Sequence, residues 1–210
     1  MMNRQNMQKQ RHEAGTRMMS EHEDAKRWNR RYAEEGEAWL QDAPRPLLLH
    51  YAHLLPRQGL ALDAAAGVGR QGLFLAERGL QVIALDISEV GLRLAQAAAK
   101  ARGVRLETAV YDLSHLWLPP HTFDVILNFR FLERHTFAIY RQSLKPGGLL
   151  FFETFVRSPR QTDTPHYYLQ PGELRAAFAD WEIIHWAEAP ETCHHGRFPK
   201  LTASLVARKP

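Results

Sequence analysis

Carboxylates recur where short apolar runs end. Asp63 lies in Leu60–Ala64, Asp86 near the end of Gln81–Ile87, and Asp112 just after Val104–Val110. Between the first two stands Gly67-Val-Gly69-Arg-Gln-Gly72, a GxGxxG pattern. Glycines after a strand let backbone approach a ligand closely, and the following helix offers it unsatisfied N–H groups. Asp86 comes 19 residues after Gly67, where an acidic side chain accepts hydrogen bonds from both hydroxyls of a ribose. The combination points to an adenosine-type ligand. Asp63, four residues ahead of the first glycine, would repel a pyrophosphate. It suits a ligand carrying an amino group or a sulfonium. A dinucleotide remains the alternative on the literal glycine pattern.

These residues need strands to end beside one another. Apolar runs at Leu60–Ala64, Gln81–Ile87, Val104–Val110, Phe123–Phe129, Leu149–Phe155, Trp181–Glu188 and Leu201–Arg208 read as seven strands. Helices are expected over 24–37, 46–55, 70–78, 89–102 and 171–178, with a helix-like stretch between the fourth and fifth strands. Alternation of this kind with near-continuous apolar strands implies an α/β, doubly wound sheet. It is mostly parallel, with an antiparallel last strand and helices on both faces. Ligands bind such sheets at the carboxyl ends of the strands, at the switch point of strand order.

The motifs together resemble the class I S-adenosylmethionine-dependent methyltransferases. Asp63-Ala-Ala-Ala-Gly-Val-Gly69 is similar to their DxxxGxG motif. Ala84-Leu-Asp86-Ile-Ser88, Phe123-Asp-Val-Ile-Leu-Asn128 and Leu144-Lys-Pro-Gly-Gly-Leu149 resemble their second-, fourth- and fifth-strand signatures. Trp28-Asn-Arg-Arg-Tyr32 with Trp39 resembles the tellurite-resistance and thiopurine-methyltransferase-like branch, whose amino-terminal helix closes over the cofactor. The likeness covers residues 24–210 and implies a Rossmann-like fold with S-adenosyl-L-methionine as cofactor. It implies that Asp63, Ala65, Gly67, Gly69 and Arg70 shape the methionine pocket, that Asp86 takes the ribose and that Ile87 packs on adenine. Asp112 and Leu113 would hold the adenine amino edge, Asn128 would lie near the methionine amino group, and Trp28 and Tyr32 would form the lid. The Pro-Pro-(Tyr/Phe) signature of amino-methylating enzymes is missing after Asn128. A small-molecule acceptor, a thiol or a chalcogen, is therefore expected, with Phe129, Arg134 and His135 as candidate contacts and no dedicated base singled out. Arg130 is a further candidate for an anionic acceptor. A cofactor-binding module without turnover is the non-enzymatic alternative.

Charge and composition bound the rest. The 210-residue chain carries a formal +4, but residues 1–31 hold eight basic and four acidic side chains. Residues 32–210 hold 19 of each, so the surplus belongs to the amino-terminal segment and argues against a phosphate-tracking surface. Residues 1–22 read as a poorly ordered basic tail, 23–56 as lid helices and 57–210 as the core of a single domain. The lone Cys193 excludes an intrachain disulfide, and His185, Cys193, His194 and His195 lack zinc spacing, so no metal is expected. Neither a membrane span nor a secretory signal is apparent, which implies a cytoplasmic protein.

Overall fold

The computed structural model describes residues 22–157, 167–191 and 200–210. The basic tail and the Cys193-His194-His195 run thus lie outside the described residues or at their border. Among the described residues one sheet contains β1 (Leu60–Ala64), β2 (Gln81–Asp86), β3 (Glu107–Val110), β4 (Phe123–Phe129), β5 (Leu144–Phe155), β6 (Glu182–Glu191) and β7 (Lys200–Arg208). Their order is β3-β2-β1-β4-β5-β7-β6. The first five strands pair in parallel, and β7 runs antiparallel to both β5 and β6. The last strand in sequence is therefore the reversed one, as its position in the alternation implied.

Both faces of the sheet are covered, which is why its strands are apolar throughout. Successive side chains point to opposite faces. Leu62, Ile126, Leu150 and Phe152 join one buried cluster, and Ala61, Val125, Leu127 and Phe151 the other. The helices are α1 (Glu23–Gln41), α2 (Pro46–His50), α3 (Arg70–Ala76), α4 (Glu89–Ala101), α5 (Thr136–Ser143) and α6 (Glu173–Ala177). Ser88 caps α4 by accepting from the Gly91 N–H, and Pro46 opens α2, where a missing N–H costs nothing.

Three elements differ from expectation. The single helix expected over 46–55 is α2 followed by a 3-10 turn at Ala52–Leu54, because Tyr51 leaves helical geometry with ψ 17°. β3 starts at Glu107 because Val104 donates its N–H to the Ala99 carbonyl at the end of α4. β5 begins at Leu144 because the Pro146-Gly147-Gly148 turn stays in the sheet. Gly147 N–H donates to the Lys209 carbonyl, and Lys209 N–H donates to that of Gly148. No described helix is long and apolar enough to cross a membrane.

Candidate functional site

The strand order reverses between β1 and β4, and the loop after β1 stands at this switch point. Ala65, Gly67 and Gly69 adopt φ of 56°, 57° and 73°. This left-handed alternation folds the loop back on the sheet, with Ala66 N–H on the Leu85 carbonyl. Two buried carboxylates fix it. Asp63 accepts from the Gly72 N–H in the first turn of α3 at 2.8 Å. Asp86 accepts from Gly67 N–H through one oxygen and from Ser88 N–H through the other, each at 2.8 Å. Burial pushes Asp63 up to about 7 and Asp86 up to about 6, against the opposing pull of those backbone donors.

This arrangement separates the two cofactor readings. A dinucleotide places its pyrophosphate on the amino end of the helix after the glycine loop. Here Asp63 already occupies that end of α3, so a second anion would face a buried carboxyl. S-adenosylmethionine fits better. Each oxygen of Asp86 retains a lone pair beyond its backbone bond, enough to accept both hydroxyls of a ribose.

α1 lies over the loop. A Cβ on Gly67 would stand 2.6 Å from Tyr32 Oη, and one on Gly91 2.9 Å from Tyr32 Cδ2. Tyr32 is buried, stacks on Trp28 with ring centroids 5.4 Å apart, and meets Trp39 edge-on at 5.4 Å. Asn29 Oδ1 fastens the helix by accepting from Ser88 Oγ at 2.7 Å and from Val90 N–H at 3.2 Å. Beneath α1 a cleft of about 120 Å³ is lined by Tyr32, Trp39, Asp63, the loop from Ala65 to Val68, Arg70, Gln71, Phe129, Arg45 and Arg130.

The opposite wall rests on Glu153, a buried side chain of β5. Arg45 donates to it through Nε at 2.9 Å and also through Nη2. Arg130 approaches it at 3.4 Å and donates to Thr202 Oγ1 at 3.3 Å. Arg130 has φ 63° and gives its N–H to the Glu153 carbonyl, so the chain turns sharply just past Phe129.

Of the expected residues, Tyr32, Asp63, Ala65, Gly67, Arg70 and Phe129 converge on the cleft. Gly69 is the left-handed cap of α3. Trp28 stands behind Tyr32, and Ile87 is half-buried just past β2. Asp112 caps the 3-10 turn Leu113–His115 by accepting from Ser114 N–H, and the Leu113 side chain is core. Asn128 lies in β4, one residue before the cleft-lining Phe129. Its side chain is fully buried, donates to the Phe131 carbonyl and accepts from Tyr140 Oη, so it shapes the turn after β4. Arg134 and His135 are not among the residues lining the cleft. The turn at Arg130 carries them away from the cleft lining, where Arg134 binds Glu173 and the Tyr168 carbonyl and His135 pairs with Glu133. Arg45, Gln71 and Glu153 carry no local motif. Their only sequence signal is a charged or polar residue beside an apolar run.

A family model described as a methyltransferase domain matches residues 61–148. The chain is 30% identical over 161 residues to the ubiquinone biosynthesis O-methyltransferase of Rhizobium etli, covering 74% of this chain and 59% of that one. It is 36% identical over 121 residues to the tRNA 5-carboxymethoxyuridine methyltransferase of Escherichia coli, covering 52% and 44%. It thus spans less than two thirds of the length of these relatives. The crystal structure of TehB from Haemophilus influenzae shares the fold, with TM-score 0.72 and 19% identity over 84% of this chain and 66% of that one. With the carboxylate-fixed glycine loop and the sheet order, these likenesses place the chain in the class I S-adenosylmethionine-dependent methyltransferases.

Proposed function

We propose that the protein transfers a methyl group from S-adenosyl-L-methionine to a small-molecule acceptor, a thiol or a chalcogen, in the cytoplasm. The observation that carries the reading is the buried Asp86 carboxylate bound to Gly67 N–H beneath α1. When bound, the cofactor supplies a methyl group already activated on a sulfonium, so the protein's part is positioning and exclusion of water.

The residues of the cleft are suited to that part. Asp86 would hold the ribose, and Asp63 would place a carboxylate near the sulfonium end while keeping the loop on α3. Tyr32, Trp28 and Trp39 form an aromatic cover that excludes water. Among the described residues no histidine or lysine lines the cleft, and one oxygen of Asp63 is committed to the Gly72 N–H. This supports an acceptor that arrives ionised, as thiols and selenols do, over one that needs a base.

Calorimetric titration with S-adenosylhomocysteine tests the reading. Binding in the micromolar range is expected, with a loss of about a hundredfold in Asp86→Ala, the scale of two charge-assisted hydrogen bonds. Undiminished binding in Asp86→Ala, or none to the wild type at millimolar ligand, refutes it.

A further inference from the structure

α1 is attached along one stripe. Ala25, Tyr32 and Gly36 are its buried residues, and Asn29 completes their line at spacings of four, three and four. Ala25, Asn29 and Gly36 bring little apolar surface, so burial alone holds the helix weakly. Asn29 is the polar member of the stripe, and its Oδ1 accepts from Ser88 Oγ at 2.7 Å and from Val90 N–H at 3.2 Å. Ser88 is fully buried. Its N–H goes to Asp86 Oδ1 at 2.8 Å, and its Oγ accepts from Gly91 N–H at 3.1 Å. Its one hydroxyl proton goes to Asn29.

These contacts close a ring. Asp86 accepts through its other oxygen from Gly67 N–H at 2.8 Å. Gly67 in turn lies under Tyr32, whose Oη would stand 2.6 Å from a Cβ placed there. The path from Asn29 through Ser88, Asp86 and Gly67 to Tyr32 thus begins and ends on α1. Only 5% of Asp86 is exposed, so a ribose reaches it when α1 and the loop move apart. Moving α1 away takes from the buried Ser88 hydroxyl the acceptor it has, which is costly in a site without water. A ribose bound on Asp86 leaves only when the same bonds break again.

We propose that Asn29 is a positioning residue for the ribose carboxylate, acting through Ser88 to couple the seating of α1 to the grip of Asp86 on the cofactor. The proposal rests on the methyltransferase reading above and deepens it. Asn29 sets Ser88, and the Ser88 N–H fixes how the carboxylate stands. The consequence is kinetic as well as thermodynamic. Asn29 holds the site closed both before the cofactor enters and after it has bound, so losing it speeds release and does not slow entry.

The test is calorimetric and stopped-flow binding of S-adenosylhomocysteine to the full chain. Asn29→Ala, which favours helix at that position, should weaken binding by about tenfold, the scale of one hydrogen bond. The dissociation rate should carry the loss, with an association rate no lower than in the wild type, a split that a merely damaged fold does not produce. In the Ser88→Ala background the same substitution should cost less than about threefold, because the residue it acts through has lost its hydroxyl. Unchanged affinity in Asn29→Ala overturns the proposal, as does a loss carried by slower association. Losses that multiply in the double variant overturn it too, since they place Asn29 outside the path through Ser88. Thermal melting follows each variant. Should the double variant not fold, Asn29→Gln decides, because it keeps the amide but moves its carbonyl by one methylene. Faster release is expected there, and release at the wild-type rate overturns the proposal. No binding by the wild type at millimolar ligand brings down the methyltransferase reading itself, whereas wild-type binding that Asn29→Ala leaves unchanged brings down this proposal alone.

Discussion

On the β1–β2 side of the cleft, carboxylates hold backbone. Asp86 reaches Gly67 across 19 residues and Asp63 reaches Gly72 across nine. On the β4–β5 side, side chains hold side chains over long separations. Arg45 meets Glu153 across 108 residues, and Arg130 meets Thr202 across 72. The first arrangement serves a ligand whose shape is fixed, because hydrogen bonds to the main chain leave little freedom. The second holds charges that depend on one another through Glu153 rather than on the main chain. One side of the cleft is thus fixed through the main chain and the other through a cluster of side-chain charges.

The sharpest way to break this comparison is to remove the hub of the second side. Glu153→Ala leaves Arg45 and Arg130 facing each other in a half-buried cleft, without the carboxylate that joins them. A loss of about 3–5 kcal/mol in denaturant unfolding is expected, the range for breaking a buried pair from one side. Asp42→Ala removes the exposed partner of Arg70 and should cost about 0.5 kcal/mol or less. Comparable costs for the two would mean that the Glu153 cluster is no better shielded from water than a surface pair.

The two sides also differ in how legible they are. The loop from Asp63 to Gly72 and the acid at Asp86 were readable because their roles depend on short spacings and on backbone conformations that few residues adopt. Gly67 shows this directly, with φ 57° and a phenol oxygen 2.6 Å from where a Cβ would stand. Glu153 shows the opposite. In sequence it is one acid inside Leu149–Phe155, and only the pairing of β5 with β4 and β7 reveals that it meets Arg130 and Arg45. Arg134 and His135 show a related point. Their distance from the end of β4 suited the site, but the left-handed turn at Arg130 sends them outward. The mostly parallel, doubly wound sheet followed from the alternation of apolar runs, whereas the in-sheet turn at Gly147 arises from a contact with Lys209 that no local pattern records.

A smaller effect tests the buried carboxylates of the first side through pH. Asp63 is raised to about 7 by burial, so the native state binds a proton that the unfolded chain releases above about 4. Its contribution to stability is fully present below the unfolded value and is lost as pH rises through about 7. Melting of the wild type relative to Asp63→Asn, which can still accept from Gly72 N–H, should therefore fall between pH 5 and pH 8. The expected size is on the order of 2 kcal/mol, or about 4–8 °C. His185, lowered by its own burial, titrates in the opposite direction, which is why the difference between the two proteins is the quantity to measure. A difference that stays flat, or rises with pH, would show that Asp63 is ionised and solvated in the folded state.

The smallest expected effect concerns the contact between α1 and the glycine loop, and it separates backbone strain from the pressure of the lid. Gly67→Ala meets two penalties. An alanine at φ 57° costs about 1–2 kcal/mol in any surroundings. Its Cβ would also stand 2.6 Å from Tyr32 Oη and 3.1 Å from Cζ, so the ring or the helix must give way. Tyr32→Phe removes the nearer atom and leaves the backbone conformation as it was. In a double-mutant cycle, Gly67→Ala should therefore cost about 1 kcal/mol less in the Tyr32→Phe background than in the wild type. Costs that agree within about 0.3 kcal/mol would mean that α1 yields freely over the loop. The aromatic cover would then be a loose lid, and constancy on the cofactor side would rest on Asp63 and Asp86 alone.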